Sequence, residues 1–408
     1  MRKTRWFISA LVALALVAGA CGDDSDDETT SDNTTTAAPS ENGGGSGGDC
    51  SLDGPVKIVG LAEKPPEGPN AIPDTAEGWE LALEDLGGEI CGQPIDFKRI
   101  PASPTDGAAA VNAYLQALDE DPVVIMGLPS STAVLAAAPE VAKGGVPTIF
   151  MALAPQAFAD AEAGSEWGFT IRPRNSGISA EVVKYAVEEL DAKRIALLCA
   201  NNAFGTTGCD SAAAAIEEAG VEIVARESNE TTDTDLTAKV TAIKNANPDV
   251  VLTFTFPNNL AVFYKQAADN GLNVPIFGGS SAGLVMGALD AKARANAWGT
   301  DDCVPASNPE TADWKAKYES KFGKSMIGSG YAIAEAYDAL MFAAAAIEEA
   351  GSTDPKAVAD AMRSIEYKGV CTTYKADAGQ GLHHATDIVQ FDSNGVAQSK
   401  KLVEVGAG

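Results

Sequence analysis

The chain has 408 residues, of which 45% are hydrophobic and only 6% aromatic, enough apolar material for two domains of about 150 residues each. Its formal net charge is −28, a surface that repels phosphate backbones and anionic lipid and so argues against nucleic-acid binding and against a basic membrane-binding face. Acidity of this size keeps a protein dispersed and says little about what it binds.

Arg2, Lys3 and Arg5 precede an apolar stretch from Trp6 to Ala18 and the small residues Gly19 and Ala20, the layout of a secretory leader with its cleavage site. The stretch is too short to span a bilayer core about 30 Å thick. Because Cys21 follows directly, residues 1–20 read as a lipoprotein signal peptide and Cys21 as the lipidation site; the run resembles a bacterial lipobox except at Ala18, where Leu is usual. Residues 21–50 then form a tether, acidic and rich in Gly, Ser and Thr, which cannot bury enough surface to fold. Its average reach is roughly 30 Å. The expected location is extracytoplasmic, with the chain held to the bacterial membrane through lipid only.

From Val56 the chain alternates short β-branched runs with helical patterns. The strand VKIVGLA (56–62) is followed by a helix with Trp79, Leu83 and Leu86 on one face, the strand IDFKRI (95–100), a helix through Ala108 to Leu118, the strand VVIMG (123–127), an Ala-rich helix (133–142) and VPTIF (146–150). This alternation predicts a parallel sheet with helices on both faces. A second series repeats the order: RIALLCA (194–200), a helix ending near Gly220, VEIVARE (221–227), a helix from Asp235 to Asn245, VVLTFTF (250–256), a helix through Tyr264 and VPIFGG (274–279). Val123 to Val146 and Val250 to Val274 are 23 and 24 residues apart, and each interval ends in Val-Pro followed by Ile-Phe. Two copies of one α/β lobe account for the echo. Beyond Val304 come helices, including a long one from Gly328 to Gly351, and then the strands DIVQF (387–391) and KKLVEV (400–405). Segments that follow both lobes must pack back on one of them, so the chain crosses between lobes more than once.

With Cys21 assigned to lipid, six Cys remain, an even number that suits disulfides in an exported protein. The helix of a βα unit ends near the start of the preceding strand, which brings Cys91 to Cys50. A strand end lies near the start of the next helix, which brings Cys199 to Cys209; Cys303 and Cys371 are left to meet where the chain crosses between lobes. Metal binding is disfavoured, because there is no Cys-x-x-Cys and the only two His, His383 and His384, are adjacent.

In order, spacing and completeness these segments resemble the type I periplasmic binding proteins of the leucine/isoleucine/valine-binding kind. The markers are VKIVGLA with AEGWELALEDLGGEICGQPI, then VVIMGLPSSTAVLAAAPEVAKGGVPTIF, IRPRNSGISAEVVKYAVEEL, AKRIALLCANNAFGTTG and AGSTDPKAVADAMRSI. The resemblance implies an α/β fold of two Rossmann-like lobes joined by three hinge crossovers, with a ligand cleft between them. Residues 51–173 and 303–367 would form the N-terminal lobe, and residues 174–302 and 368–408 the C-terminal lobe. It implies a monomer without cofactor or catalytic residues, which captures a small molecule and meets the permease subunits of an ABC importer.

In parallel sheets ligands bind beyond the carboxyl ends of the strands, here at Glu63, Leu128 to Thr132, Met151 to Ala154, Ala200 to Phe204, Phe256 to Asn258 and Gly279 to Ala282. Ser130, Ser131 and Thr132 open a helix, where unpaired N–H groups and hydroxyls hold an anion; the resemblance assigns the Ser pair to a ligand carboxylate. Phe204 and Phe256 fall where the family places ring contacts. Two departures bear on the ligand. Ala152 and Leu153 stand where the family often has Ala-Thr, and Ser280, beside Ser281, stands where amino-acid binders often supply a Glu for the ammonium. A buried ammonium without a carboxylate is costly; Glu63 is the available substitute. Two rival classes are weighed: a ligand-sensing receptor component of the same fold, and a hydrolase using Ser281 of Gly279-Ser280-Ser281-Ala282-Gly283 with His383, which lacks a preceding oxyanion segment.

Overall fold

The computed structural model describes residues 50–65, 74–153, 166–304, 308–326 and 330–405. The leader, Cys21, most of the tether and Ala154 lie outside the described residues.

The first sheet contains β1 (Val56–Leu61), β2 (Glu89–Ile90), β3 (Gln93–Ile100), β4 (Val124–Gly127), β5 (Thr148–Phe150) and β6 (Gly168–Thr170), in the order β2-β3-β1-β4-β5-β6. All its pairings are parallel except the β2–β3 hairpin. The chain continues through β7 (Arg194–Ala200), β8 (Glu222–Asn229), β9 (Val250–Phe254), β10 (Ile276–Phe277) and β11 (Ala297–Asp301), a small hairpin of β12 (Glu366–Lys368) and β13 (Thr373–Lys375), and finally β14 (Ala385–Phe391) and β15 (Ala397–Glu404). The second sheet runs β15-β14-β11-β10-β9-β7-β8, with β14 and β15 antiparallel additions to a parallel body.

Side chains alternate across a strand, so each buried run feeds two cores. From the first sheet Ile58, Val124, Met126 and Ile149 pack with Trp79 and the helix Tyr331–Ala350, while Val59, Leu61, Ile125 and Phe150 pack with Tyr114, Val134 and Val141 on the opposite face. The second sheet repeats the division, with Ile195, Leu197 and Leu252 on one face and Ala196, Leu198 and Val251 on the other. The helices Ala76–Asp85 and Tyr331–Ala350 approach so closely that a Cβ at Gly78 would lie 2.1 Å from the Ile333 carbonyl oxygen.

Among the described residues, three chain segments pass between the two sheets. The first follows β6 and enters the helix Asn175–Glu188. In the second, after β11, Cys303 belongs to the first core and Val304 to the second. The third corrects the boundary expected at 367–368. Cys371, Tyr374 and Leu382 are buried in the first core, and Gln380 to Leu382 extend the first sheet alongside β6, through Thr170 N–H to Gln380 C=O at 3.0 Å and Leu382 N–H to Thr170 C=O at 2.8 Å. The chain therefore enters the second sheet only at β14. The disulfides are Cys50–Cys91, Cys199–Cys209 and Cys303–Cys371, with Cα–Cα separations of 5.5, 6.0 and 4.5 Å, the pairing expected from the sequence; the last ties the second crossing to the β12–β13 hairpin.

Candidate functional site

Ser130 caps the helix Ser131–Gly144 from an extended backbone. Its hydroxyl accepts the Ala133 N–H at 3.2 Å and donates to the Pro104 carbonyl at 2.5 Å. The only proton of Ser130 is thus committed, and the residue fixes the helix start. The donors left for a ligand are the first N–H groups of the helix and the hydroxyls of Ser131 and Thr132; Thr132 Oγ1 is buried with no hydrogen-bond partner. Gly127 makes this turn possible. At φ +121° it passes so close to β1 that a Cβ would lie 2.2 Å from the Leu61 carbonyl oxygen.

The helix that starts at Ser131 contacts the helix Ala203–Glu218 of the other lobe. That helix is capped by Asn202, whose Oδ1 accepts the Gly205 N–H at 2.9 Å, while its Nδ2 is buried without a partner. Phe204 and Phe256, both half-buried, pair at 5.9 Å between ring centroids. Two leucines cross between lobes. Leu153, after β5, packs in the second lobe's core with Ile178 and Phe254, and Leu284, of the helix Ser281–Val285, packs against the first lobe's core. Ala152 stays in the first lobe. Ser280 and Ser281 are 5% and 8% exposed, so both are buried in this form. Glu63 is exposed beyond β1.

Ser280 has a partner that the sequence reading missed. The Tyr331 hydroxyl, at the start of the long first-lobe helix, is its hydrogen-bonding neighbour. The Arg172 guanidinium lies 4.3 Å from the Tyr331 ring centroid. Arg172 sits in the first crossing and donates to Asp302 of the second, from Nη2 at 2.5 Å and Nε at 3.2 Å. Its Nε is also 3.2 Å from Glu335 Oε2, a charge contact without hydrogen-bond alignment. Asp302 accepts the Thr386 hydroxyl at 2.6 Å, and His383 of the third crossing places Nδ1 3.9 Å from Glu335 Oε1. The three crossings therefore meet on one buried charge cluster.

Burial sets the protonation of this cluster. It raises the Glu335 carboxyl well above 4.5, against the opposing pull of Arg172. It pushes His383 down to about 4, so the imidazole is neutral at pH 7. Arg172 stays charged despite its desolvation, held by the Asp302 carboxylate to which it donates twice. His383 thus faces Glu335 and takes Tyr374 edge-on at 5.7 Å, a setting unlike that of a general base beside a nucleophile.

This arrangement, two wound lobes with strand ends and helix starts facing each other across crossings, is that of a bilobal binding protein. The sequence model of the periplasmic binding protein family matches residues 56–396, and the chain belongs to that family. It is 24% identical over 274 residues to a leucine-, isoleucine-, valine-, threonine- and alanine-binding protein of Pseudomonas aeruginosa, covering 67% of this chain and 65% of the relative, just under two thirds of its length. Among solved structures, a branched-chain amino acid transporter substrate-binding protein from Streptococcus pneumoniae in complex with isoleucine superposes with a TM-score of 0.75 at 22% identity, over 86% of this chain and 99% of the other. A solute-binding protein from Rhodopseudomonas palustris in complex with 4-hydroxybenzoate gives 0.74 at 16% identity, over 86% and 97%. These structures share the fold.

Proposed function

We propose that the protein is a solute-binding lipoprotein of an ABC importer, anchored through Cys21, which captures a small organic solute by hinge closure and presents it, as a monomer and without catalysis, to permease subunits. The observation that supports this most is the convergence of the helix start at Ser131 and Thr132 with Asn202, Phe204 and Phe256 from the opposite lobe, in a chain whose family binds solutes.

The solute carries a carboxylate or amide at one end and an apolar or weakly polar body. The helix start offers donors to the first; Leu153, Phe204 and Phe256 offer walls to the second. The expected ammonium position is held by Ser280, which has a hydroxyl beside it and, behind the Tyr331 ring, a guanidinium. That environment does not compensate a positive charge. Of the two solutes in the related structures, the aromatic acid fits these walls better than the zwitterion. A thermal-shift screen of branched-chain amino acids, their keto acids, short amides and aromatic acids tests the reading. Stabilisation by an acid or amide above leucine, isoleucine and valine is expected. The reverse order would locate an ammonium partner, with Glu63 the first residue to mutate.

A further inference from the structure

Glu335 and His383 stand out because neither is used by the cleft. Glu335 is 0% exposed and His383 3%, and both Glu335 oxygens and His383 Nδ1 lack a hydrogen-bond partner. They face each other at 3.9 Å where all three crossings come together. We propose that this pair makes hinge closure a proton-linked step: with the lobes shut the carboxyl of Glu335 holds one proton beside a neutral His383, and with the lobes apart the carboxyl gives it up.

The balance of charge supports the assignment. Around the pair stand Arg172 from the first crossing, Asp301 and Asp302 from the second, His384 from the third, Tyr374 from the β12–β13 hairpin, and Tyr331 and Asp338 from the same helix as Glu335. Arg172 and Asp302 neutralise each other through two hydrogen bonds. An ionised Glu335 would add a further negative charge to a buried site that already holds Asp301 and Asp338, and a protonated one adds none. A cavity of about 250 Å³ lined by Asp302, His383, Thr386, Lys368 and Leu402 lies beside the cluster but does not reach Glu335. Because the cluster is assembled from all three crossings, bending them separates its members and hydrates them.

Hydration returns each group toward its ordinary value, 4.5 for the carboxyl and 6.5 for the imidazole. Above pH 6.5 the open form therefore has an ionised Glu335 and a neutral His383, and closure takes one proton from solvent. Between 4.5 and 6.5 the open form carries the proton on His383, and closure moves it to Glu335 with no net uptake. Closure thus weakens as pH rises above 6.5, with a limit of about tenfold in the closed-to-open ratio per pH unit, and is level between 4.5 and 6.5.

The inference rests on the hinge motion proposed above but needs no solute. Small-angle X-ray scattering on the purified protein with nothing added, from pH 5 to 8.5 at constant ionic strength, reads the two forms. The expected radius of gyration is constant up to pH 6.5 and grows above it. Glu335→Gln, which keeps the shape without the titrating proton, removes the growth. His383→Asn removes the internal donor, so the dependence extends below pH 6.5. A wild-type radius independent of pH, growth that persists in Glu335→Gln, or an unchanged threshold in His383→Asn overturns the inference. The wild-type series decides it even where a variant does not fold, and the thermal-shift screen decides the solute reading separately.

Discussion

Two sets of charges lie on the first lobe, and they differ in almost every respect except chemistry. On the surface, the lysines of the helix Pro309–Phe322 and its flank reach the acids of the helix Ala76–Asp85: Lys317 to Asp85, Lys321 to Glu80 and Glu84, and Lys324 to Glu77. At the hinge, Arg172 meets Asp302 and Glu335 with side chains no more than 6% exposed. Exposed pairs gain little, because water and salt screen them and two long side chains must be held still. The buried set carries a large desolvation cost, so removing one member exposes that cost in full. Losing one member of the surface seam therefore costs little, while losing one member of the hinge cluster leaves a buried charge without its partner.

The largest expected effect follows from breaking that cluster. Arg172→Met leaves Asp302 buried without its partner and should cost about 3–5 kcal/mol of stability in urea denaturation; a loss under about 1 kcal/mol would mean that water already occupies the cluster. A different kind of buried acid sharpens the contrast. Asp338 is surrounded by neutral donors, the N–H groups of Val370 and Cys371 at 2.8 and 2.9 Å and the Tyr374 hydroxyl at 2.8 Å. Asp338→Ala strands these donors and should cost about 1–3 kcal/mol in the same assay. In the cleft, Ser131→Ala should weaken the solute identified by the screen by roughly 5- to 150-fold in calorimetry, with stability unchanged. The smallest effect is on the seam: Lys321→Ala should leave the melting temperature within error at moderate salt. A clear drop there would erase the distinction between the two regions.

The strands with β-branched runs were legible because their burial and period are local properties. β1, β4, β7 and β9 fall where VKIVGLA, VVIMG, RIALLCA and VVLTFTF placed them. β6 and β11 were not read, since Gly168–Thr170 is too short to show a period and Ala297–Asp301 contains no β-branched residue but Thr300. At the site the helix start at Ser131 was legible from its Ser-Ser-Thr. Its division of labour was not, because Ser130 spends its proton on Pro104, a residue 26 positions earlier. The hinge cluster was invisible for the same reason, its members being scattered from Arg172 to Thr386. One signal was present: Glu335 and Asp338 interrupt a helix whose other positions are almost all apolar on every side, and an acid in a fully buried helix marks a buried partner.

The short pairing of Gln380 to Leu382 with β6 has a consequence for the molecule among its own copies. β6 ends the first sheet, and an uncovered last strand offers a row of N–H and C=O groups that template a strand from another chain. Here Thr170 is bonded on that side through both its N–H and its carbonyl, and the Gln380 amide donates to the Gly168 carbonyl at 2.7 Å. The returning segment thus seals the rim of the sheet against fibril-like stacking, and it does so with the same few residues that lead the chain into its last crossing.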